Sequence, residues 1–264
     1  MGPQKTIPQT ATRQAPAWTA GELADPHANA DKPTKIRLMF GAIARSYDLN
    51  NRLHSFGRDQ AWRRAGVRAA RVQPGDTILD VACGTGDLTH EFARSRADAV
   101  IGLDFVPEML EIARAKQRAI DPALRGKVTY MQGDAMQLPF EDACIDVVSI
   151  AFGIRNVADP RAALAEFHRV LRPGGRLVIL EFDTPRFAPA RWASNLYTNR
   201  IMPLTATLVS RDRSGAYRYL PRSVASFLDG DALAGAISEA GFQDVATRRL
   251  TMGVCACHSA TRPE

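Results

Sequence analysis

The chain has 264 residues, 45% of them apolar, which is ample for one sizeable core and marginal for two. Its 34 Lys and Arg against 28 Asp and Glu give a net charge of +6, which suggests an anionic partner, yet the arginines are scattered and no nucleic-acid motif accompanies them. No stretch approaches the roughly 18 consecutive apolar residues of a membrane span, and Cys83, Cys144, Cys255 and Cys257 lack the spacing of a zinc site, so no metal is expected and buried thiols in a reducing cytoplasm are the simpler reading.

The first 34 residues carry Pro3, Pro8, Pro16, Pro26 and Pro33 among small polar residues, with no apolar core of a signal peptide. Such a composition buries too little apolar surface to order itself, so a disordered tail is expected over 1–34. From Ile36 the spacing turns helical, through Met39, Phe40 and Ile43, and a second helix is expected from Gln60 to Arg71 with Trp62 on its inner face. Together they make a helical cap over 35–72 at the front of a single domain covering 35–264.

After Pro74-Gly75 the texture alternates. TILDVA (77–82) is a strand, followed by a Gly-rich turn and the helix DLTHEFARS; AVIGLD (99–104) precedes a helix opened by Pro107. VTYMQGD (128–134) and IDVVSIAF (145–152) are two more strands, Pro160 opens the helix RAALAEFHRVL, and RPGGRLVILEF supplies a turn and a fifth strand. Strand and helix in alternation predict an α/β fold, a Rossmann-like, mostly parallel doubly wound sheet with helices on both faces. FQDVATRRLTMGVCACHSA reads as two strands joined by a short turn, an antiparallel hairpin at the sheet's edge that brings the strand count to seven. The long insertion at 183–228, rich in aromatic residues, is expected to act as a lid.

The strongest local signal is LDVACGTGD (79–87), where a strand ends in Asp80 and turns sharply through Gly84-Thr85-Gly86 into a helix. Glycines are needed where a ligand approaches the main chain closely. The third glycine of the dinucleotide fingerprint is absent, since Thr89 stands in its place. Asp104, ending strand two, can take both hydroxyls of a ribose, and Asp134-Ala135, ending strand three, offers a carboxylate and backbone for an adenine edge. Each acid alone is also an ordinary turn residue, but loops at the carboxyl ends of adjacent strands converge where open α/β sheets bind ligands. The site reads as one for S-adenosyl-L-methionine, and the signature resembles class I methyltransferases.

MFGAIARSYDLNN (39–51), LDVACGTGDLT, LPFEDACIDVVSIAFGIRNVAD and RVLRPGGRLVILEF together resemble the ubiquinone/menaquinone biosynthesis C-methyltransferase family, with AYRYLPRSV, AGF and LTMGV continuing the match over roughly 36–260. The resemblance implies C-methylation of a polyprenylated quinol ring by S-adenosyl-L-methionine, in menaquinone or ubiquinone biosynthesis, with cofactor contacts at Thr85, Asp104, Asp134 and Ala135. The family often has Ser where Ala151 stands and Gly or Ala where Cys83 stands. A methyltransferase for another small aromatic substrate is the alternative, and a non-catalytic cofactor- or nucleic-acid-binding protein a third reading.

A ring carbon attacks a sulfonium methyl once a ring hydroxyl loses its proton, so the site must stabilise a phenolate oxygen, orient the ring and exclude water. Arg155 and Asn156, ending strand four in AFGIRN, are expected to supply the oxyanion-stabilising guanidinium and the ring-orienting amide, with Tyr47 completing the network. Arg155 has a second reading, an ion pair with Asp159 or Glu181, and His54, His168 and His258 are further proton-acceptor candidates. The aromatic insertion would form an apolar groove for the prenyl tail, with Arg186, Arg191, Arg200, Arg211 and Arg213 at its mouth against anionic headgroups. The expected partner is therefore a polyprenyl quinol rather than nucleic acid. The expected location is cytoplasmic, with peripheral contact at the inner membrane face and a homodimer left open.

Overall fold

Apolar residues that alternate along each strand build two cores, one on each side of a single sheet. In the computed structural model, which describes residues 18–19, 21–202, 205 and 215–264, seven strands run in the order β3-β2-β1-β4-β5-β7-β6. They are β1 (Thr77–Val81), β2 (Ala99–Asp104), β3 (Val128–Gln132), β4 (Ile145–Ala151), β5 (Leu171–Phe182), β6 (Gln243–Leu250) and β7 (Cys255–Thr261). The first five pair in parallel. β7 pairs antiparallel with β5 and β6 antiparallel with β7, so the hairpin enters the sheet through its second strand and leaves β6 at the edge.

The helices are α1 (Lys32–His54), α2 (Arg58–Ala69), α3 (Asp87–Ala93), α4 (Pro107–Gln117), α5 (Pro122–Arg125), α6 (Pro160–Val170), α7 (Ala188–Leu196), α8 (Ala216–Ala225) and α9 (Gly230–Glu239). Prolines preset the backbone at the first turns of α4 and α6, and the Asp159 carboxylate caps α6 by accepting from the amides of Arg161 and Ala162. Ala163, Leu164, Phe167 and Val170 of α6 pack with Leu233 and Ile237 of α9 against Leu79, Val148 and Ile179 on one face. Burying each of the large ones is worth about 1.5–3 kcal/mol. Trp62 of α2 and Leu88 and Phe92 of α3 cover Ile78, Val147 and Val178 on the other.

The tail expected over 1–34 is not a tail from Trp18 on. Trp18 and Leu23 are buried with Ile36, Met39 and Tyr219 in a separate apolar cluster. Composition misses this because the partners of these few anchors lie in α1 and α8; residues 1–17 of that expectation lie outside the described residues. The described parts of the insertion are largely helical, with α7 running into a π-turn at Tyr197–Ile201 and α8 over Ala216–Ala225. No helix among the described residues is long and apolar enough to cross a membrane.

Candidate functional site

The carboxyl ends of β1, β2 and β4 and the loop after β3 open onto a cleft of about 800 Å³, mouth included, roofed by Pro33, Ile36, Phe40 and Tyr47 of α1. That volume lies in the range of small-molecule sites. Gly84, Asp104, Asp134, Ala135, Asn156 and Tyr47 all line it, so six of the residues singled out in the sequence come together. A side pocket of about 310 Å³ continues behind the glycine turn and is lined by Thr85 and Asp80, sharing Tyr47, Ala82, Gly84 and Ala151 with the main cleft.

The turn owes its shape to left-handed backbone. Gly84 and Gly86 have φ of 56° and 82°, and a Cβ on Gly86 would overlap the Tyr130 hydroxyl. Two residues with side chains share this costly conformation at strand ends, Ala82 (φ 50°) and Phe152 (φ 57°), both on the cleft wall. At Gly153 a Cβ would come within 2.7 Å of Ala82 Cβ, so the loop after β4 can close on the loop after β1 only without a side chain there.

Asp104 Oδ2 accepts from the Gly84 amide at 2.7 Å and Oδ1 from the Val106 amide at 2.8 Å. Each oxygen keeps a lone pair for a further donor. Burial raises this carboxyl to about 6, against the pull of those amides. Asp80 is also raised to about 6 by burial; its oxygens accept from Thr89 and Ser149 hydroxyls at 2.6 and 2.8 Å. Asp134 Oδ1 accepts from the Met136 amide at 2.9 Å. The Thr85 hydroxyl donates to Asp48, which with Asp87 and Thr85 surrounds the Lys116 ammonium.

Also on the cleft wall, Asn156 Nδ2 donates to Phe152 O at 3.3 Å. Tyr47 is half-buried, and desolvation holds its phenol above the usual value, hence protonated. Arg155 takes the second of its two expected readings, the ion pair with Glu181, and not the first. It does not line the cleft: it is 4% exposed, its Nη1 bonds Glu181 Oε1 at 2.6 Å and Phe152 O at 2.7 Å, and the guanidinium lies 5.2 Å from the Phe182 ring centroid. A carboxylate at bonding distance in the interior outcompetes a direction toward the cleft. The three suggested histidines also lie elsewhere, His54 against Asn50 O and Thr205, His168 against Phe242, His258 against Thr247.

Sequence reasoning missed Arg63, a buried side chain facing the side pocket and paired with Asp59 at 2.9 Å, because nothing local marks one arginine of α2 over its neighbours. It also missed the apolar wall of Phe105, Val106, Met109 and Met136. The groove expected from the insertion is not seen: among the described residues none of 183–228 lines the cleft, and Trp192 is 68% exposed. Pro203, Leu204, Arg211 and Arg213, and the side chain of Tyr217, lie outside the described residues.

Residues 28–262 match the ubiE/COQ5 methyltransferase family. The chain belongs to that family. It is 46% identical over 227 residues to a demethylmenaquinone methyltransferase of Thermus thermophilus, covering 85% of this chain and all of the relative. It is 40% identical over 238 residues to a ubiquinone/menaquinone biosynthesis C-methyltransferase of a Geobacter species, covering 89% of this chain and all of that relative. Among solved structures, an S-adenosylmethionine-dependent methyltransferase of Thermotoga maritima superposes with a TM-score of 0.58 at 20% identity over 86% of this chain and 99% of that one, which shows the fold. The ubiE/COQ5 methyltransferases use S-adenosyl-L-methionine, and the donor set here fits it: a buried carboxylate with free lone pairs at Asp104, an open glycine turn, and the Asp134-Ala135 end of the cleft.

Proposed function

We propose that this protein methylates a ring carbon of a polyprenyl quinol, converting demethylmenaquinol and S-adenosyl-L-methionine to menaquinol, S-adenosyl-L-homocysteine and a proton. The observation that carries the reading is one cleft lined together by the acidic pair Asp104 and Asp134, by Tyr47 and Asn156, and by apolar side chains. The naphthoquinol is placed first because the 46% identical relative is named for it, and the benzoquinol precursor second because the 40% identical one is named for both pathways.

When bound, S-adenosyl-L-methionine supplies a methyl group made electrophilic by its sulfonium. The Asp104 carboxylate would accept from the ribose hydroxyls with its free lone pairs, and Asp134 and Ala135 would border the adenine. Gly84 and Gly86 let the ligand approach the main chain, with Asp80 fixing the end of β1 beneath the turn. Thr85 and Arg63 face the side pocket, where a guanidinium suits the carboxylate of the methionine end. Tyr47, kept protonated, would donate to the developing phenolate oxygen, and the Asn156 amide would orient the ring. Arg155 becomes a positioning residue, holding Phe152 O and with it the Asn156 amide. Ile36, Phe40 and Met136 keep water from the reacting atoms.

A polyprenyl tail resides in lipid, so the protein would meet it at a membrane surface, a reading supported by exposed Phe56, Phe187 and Trp192. The test supplies purified protein with S-adenosyl-L-methionine and chemically reduced demethylmenaquinol, or the reduced benzoquinol precursor, and follows methylated product by mass. Product from the naphthoquinol is expected; product from neither ring, with cofactor bound and the protein folded, refutes the reading.

A further inference from the structure

The N-terminal segment reaches the wall of the cleft at Asn156 and Val157 through a chain of partly buried polar contacts. Lys32 is 2% exposed, and its ammonium donates to Val157 O at 2.6 Å and to His27 Nδ1 at 3.1 Å. His27 Nε2 lies 2.9 Å from Ser223 O in α8. A carbonyl only accepts, so Nε2 carries the proton and Nδ1 is left as acceptor for Lys32. That bonding defines a neutral imidazole, and burial lowers His27 in the same direction. Beside it, Trp18 stacks on Tyr219 with ring centroids 4.8 Å apart, both rings 1% exposed. The Tyr219 hydroxyl donates to Asn156 Oδ1 at 3.0 Å.

Asn156 and Val157 are both cleft residues, so the contacts converge on the wall that faces the acceptor. With Oδ1 accepting from Tyr219 and Nδ2 donating to Phe152 O, the amide has one orientation, and its second N–H and second lone pair remain for a ligand. Without the tyrosine hydroxyl only the 3.3 Å bond to Phe152 O holds that orientation. Lys32 is a costly anchor. Burial, with the Arg155 charge nearby, lowers its ammonium to about 8. An apolar side chain of similar length would fill the space at less cost, so a buried ammonium at this wall fits placement of Val157 better than stabilisation of the fold.

We propose that Lys32, His27 and Tyr219 form a clasp that sets Asn156 and Val157 for the quinol ring, making Lys32 and Tyr219 positioning residues of the methyl transfer. The clasp rests on the quinol reading for its consequence, and on the geometry alone for its existence. In the full chain, Tyr219→Phe and Lys32→Met are compared with wild type for S-adenosyl-L-homocysteine affinity by calorimetry, melting temperature, amide hydrogen exchange over 152–158, and kcat and KM with reduced demethylmenaquinol. Tyr219→Phe should lower kcat/KM about tenfold, the scale of one hydrogen bond, with homocysteine-product affinity within about twofold. Lys32→Met should melt at or above the wild-type temperature while losing turnover by a comparable factor, a combination that a merely structural lysine would not give. Exchange over 152–158 should quicken in both. Unchanged kcat/KM, or product affinity falling as far as turnover, overturns the proposal, as does a Lys32→Met protein that melts lower with normal turnover. If the wild type methylates neither quinol, the substrate reading falls and exchange decides: quickened exchange sustains the clasp, unchanged exchange overturns it.

Discussion

Asp104 meets two opposite demands, and they give it a pH signature. Burial raises it to about 6, and Asp80 likewise, well above the ordinary aspartate value of about 3.9. The folded apo protein therefore holds these protons more tightly than the unfolded chain does, so their stability contribution is full below about 4 and is lost as pH rises through about 6. A ligand whose hydroxyls donate to Asp104 selects the ionised form and reverses the sign: affinity should fall as pH drops through about 6. Calorimetry with S-adenosyl-L-homocysteine from pH 7.5 to 5 should show a weakening that approaches about tenfold per pH unit at the acid end, one proton's worth. In Asp104→Asn that slope should flatten at a weaker plateau; a slope unchanged in the variant would remove Asp104 from the cofactor contact. Asp104 was legible because it ends an apolar run that reads as a strand, and Asp134 because it stands just past the next such run. Arg155 was left with two readings, the cleft or an ion pair with Asp159 or Glu181, and only the fold decides between them, since the partner it takes lies 26 residues along in β5. Removing one member of such a pair leaves a buried charge, so Glu181→Gln should lower stability by about 3–5 kcal/mol in urea titration. Arg155→Met combined with Glu181→Gln should recover most of it, and failure to recover would mean that the two do not act as a pair.

At the level of elements, the seven strands and helices α1 to α4 and α6 were readable, while α5, α7, α8, α9 and the packing between elements had to be seen. Proline and aspartate at the starts of helices, and apolar runs bounded by glycine, made α4, α6 and β1 to β5 readable. The order in which the C-terminal hairpin enters the sheet was not, because which strand pairs with β5 is a tertiary choice that the hairpin's own turn does not state. The turn between β1 and α3 shows how one local rule acquires a tertiary reason. Gly86 needs its positive φ, and the space a Cβ would occupy is taken by Tyr130 of β3, whose hydroxyl also meets His90 Nε2 at 2.9 Å. Gly86→Ala should thus cost about 1–2 kcal/mol for the left-handed backbone and a further ~1–3 kcal/mol for overpacking, read from the urea midpoint. Tyr130→Phe in the same chain should return part of the second contribution by removing the overlapping oxygen. If the double variant is no more stable than Gly86→Ala, steric conflict with Tyr130 is not the cause.

For the whole molecule, the decisive arrangement is that the cleft has its floor in the sheet and its roof in α1, joined to the sheet's helices through α4 and α2 rather than through the strands. The roof was expected as a cap from its helical spacing, but the buried segment from Trp18 was hidden by a proline-rich composition whose few anchors find partners across the chain. A ligand filling this cleft touches floor and roof together, so it should stabilise them as one unit. At a hundredfold excess over its Kd, S-adenosyl-L-homocysteine should add about 2.7 kcal/mol, which for a chain of this size corresponds to a rise in Tm of about 5–10 °C. Because Ile36, Phe40 and Tyr47 line the same space as Gly84 and Asp104, hydrogen exchange should slow over 36–47 as well as over 82–86 and 104–106. Slowing confined to the strand ends, with the expected rise in Tm, would place the cofactor on the floor alone and leave α1 to the acceptor; slowing in α1 that appears only with the cofactor product present, and disappears in Asp104→Asn at the same concentration, would tie the roof to the cofactor directly.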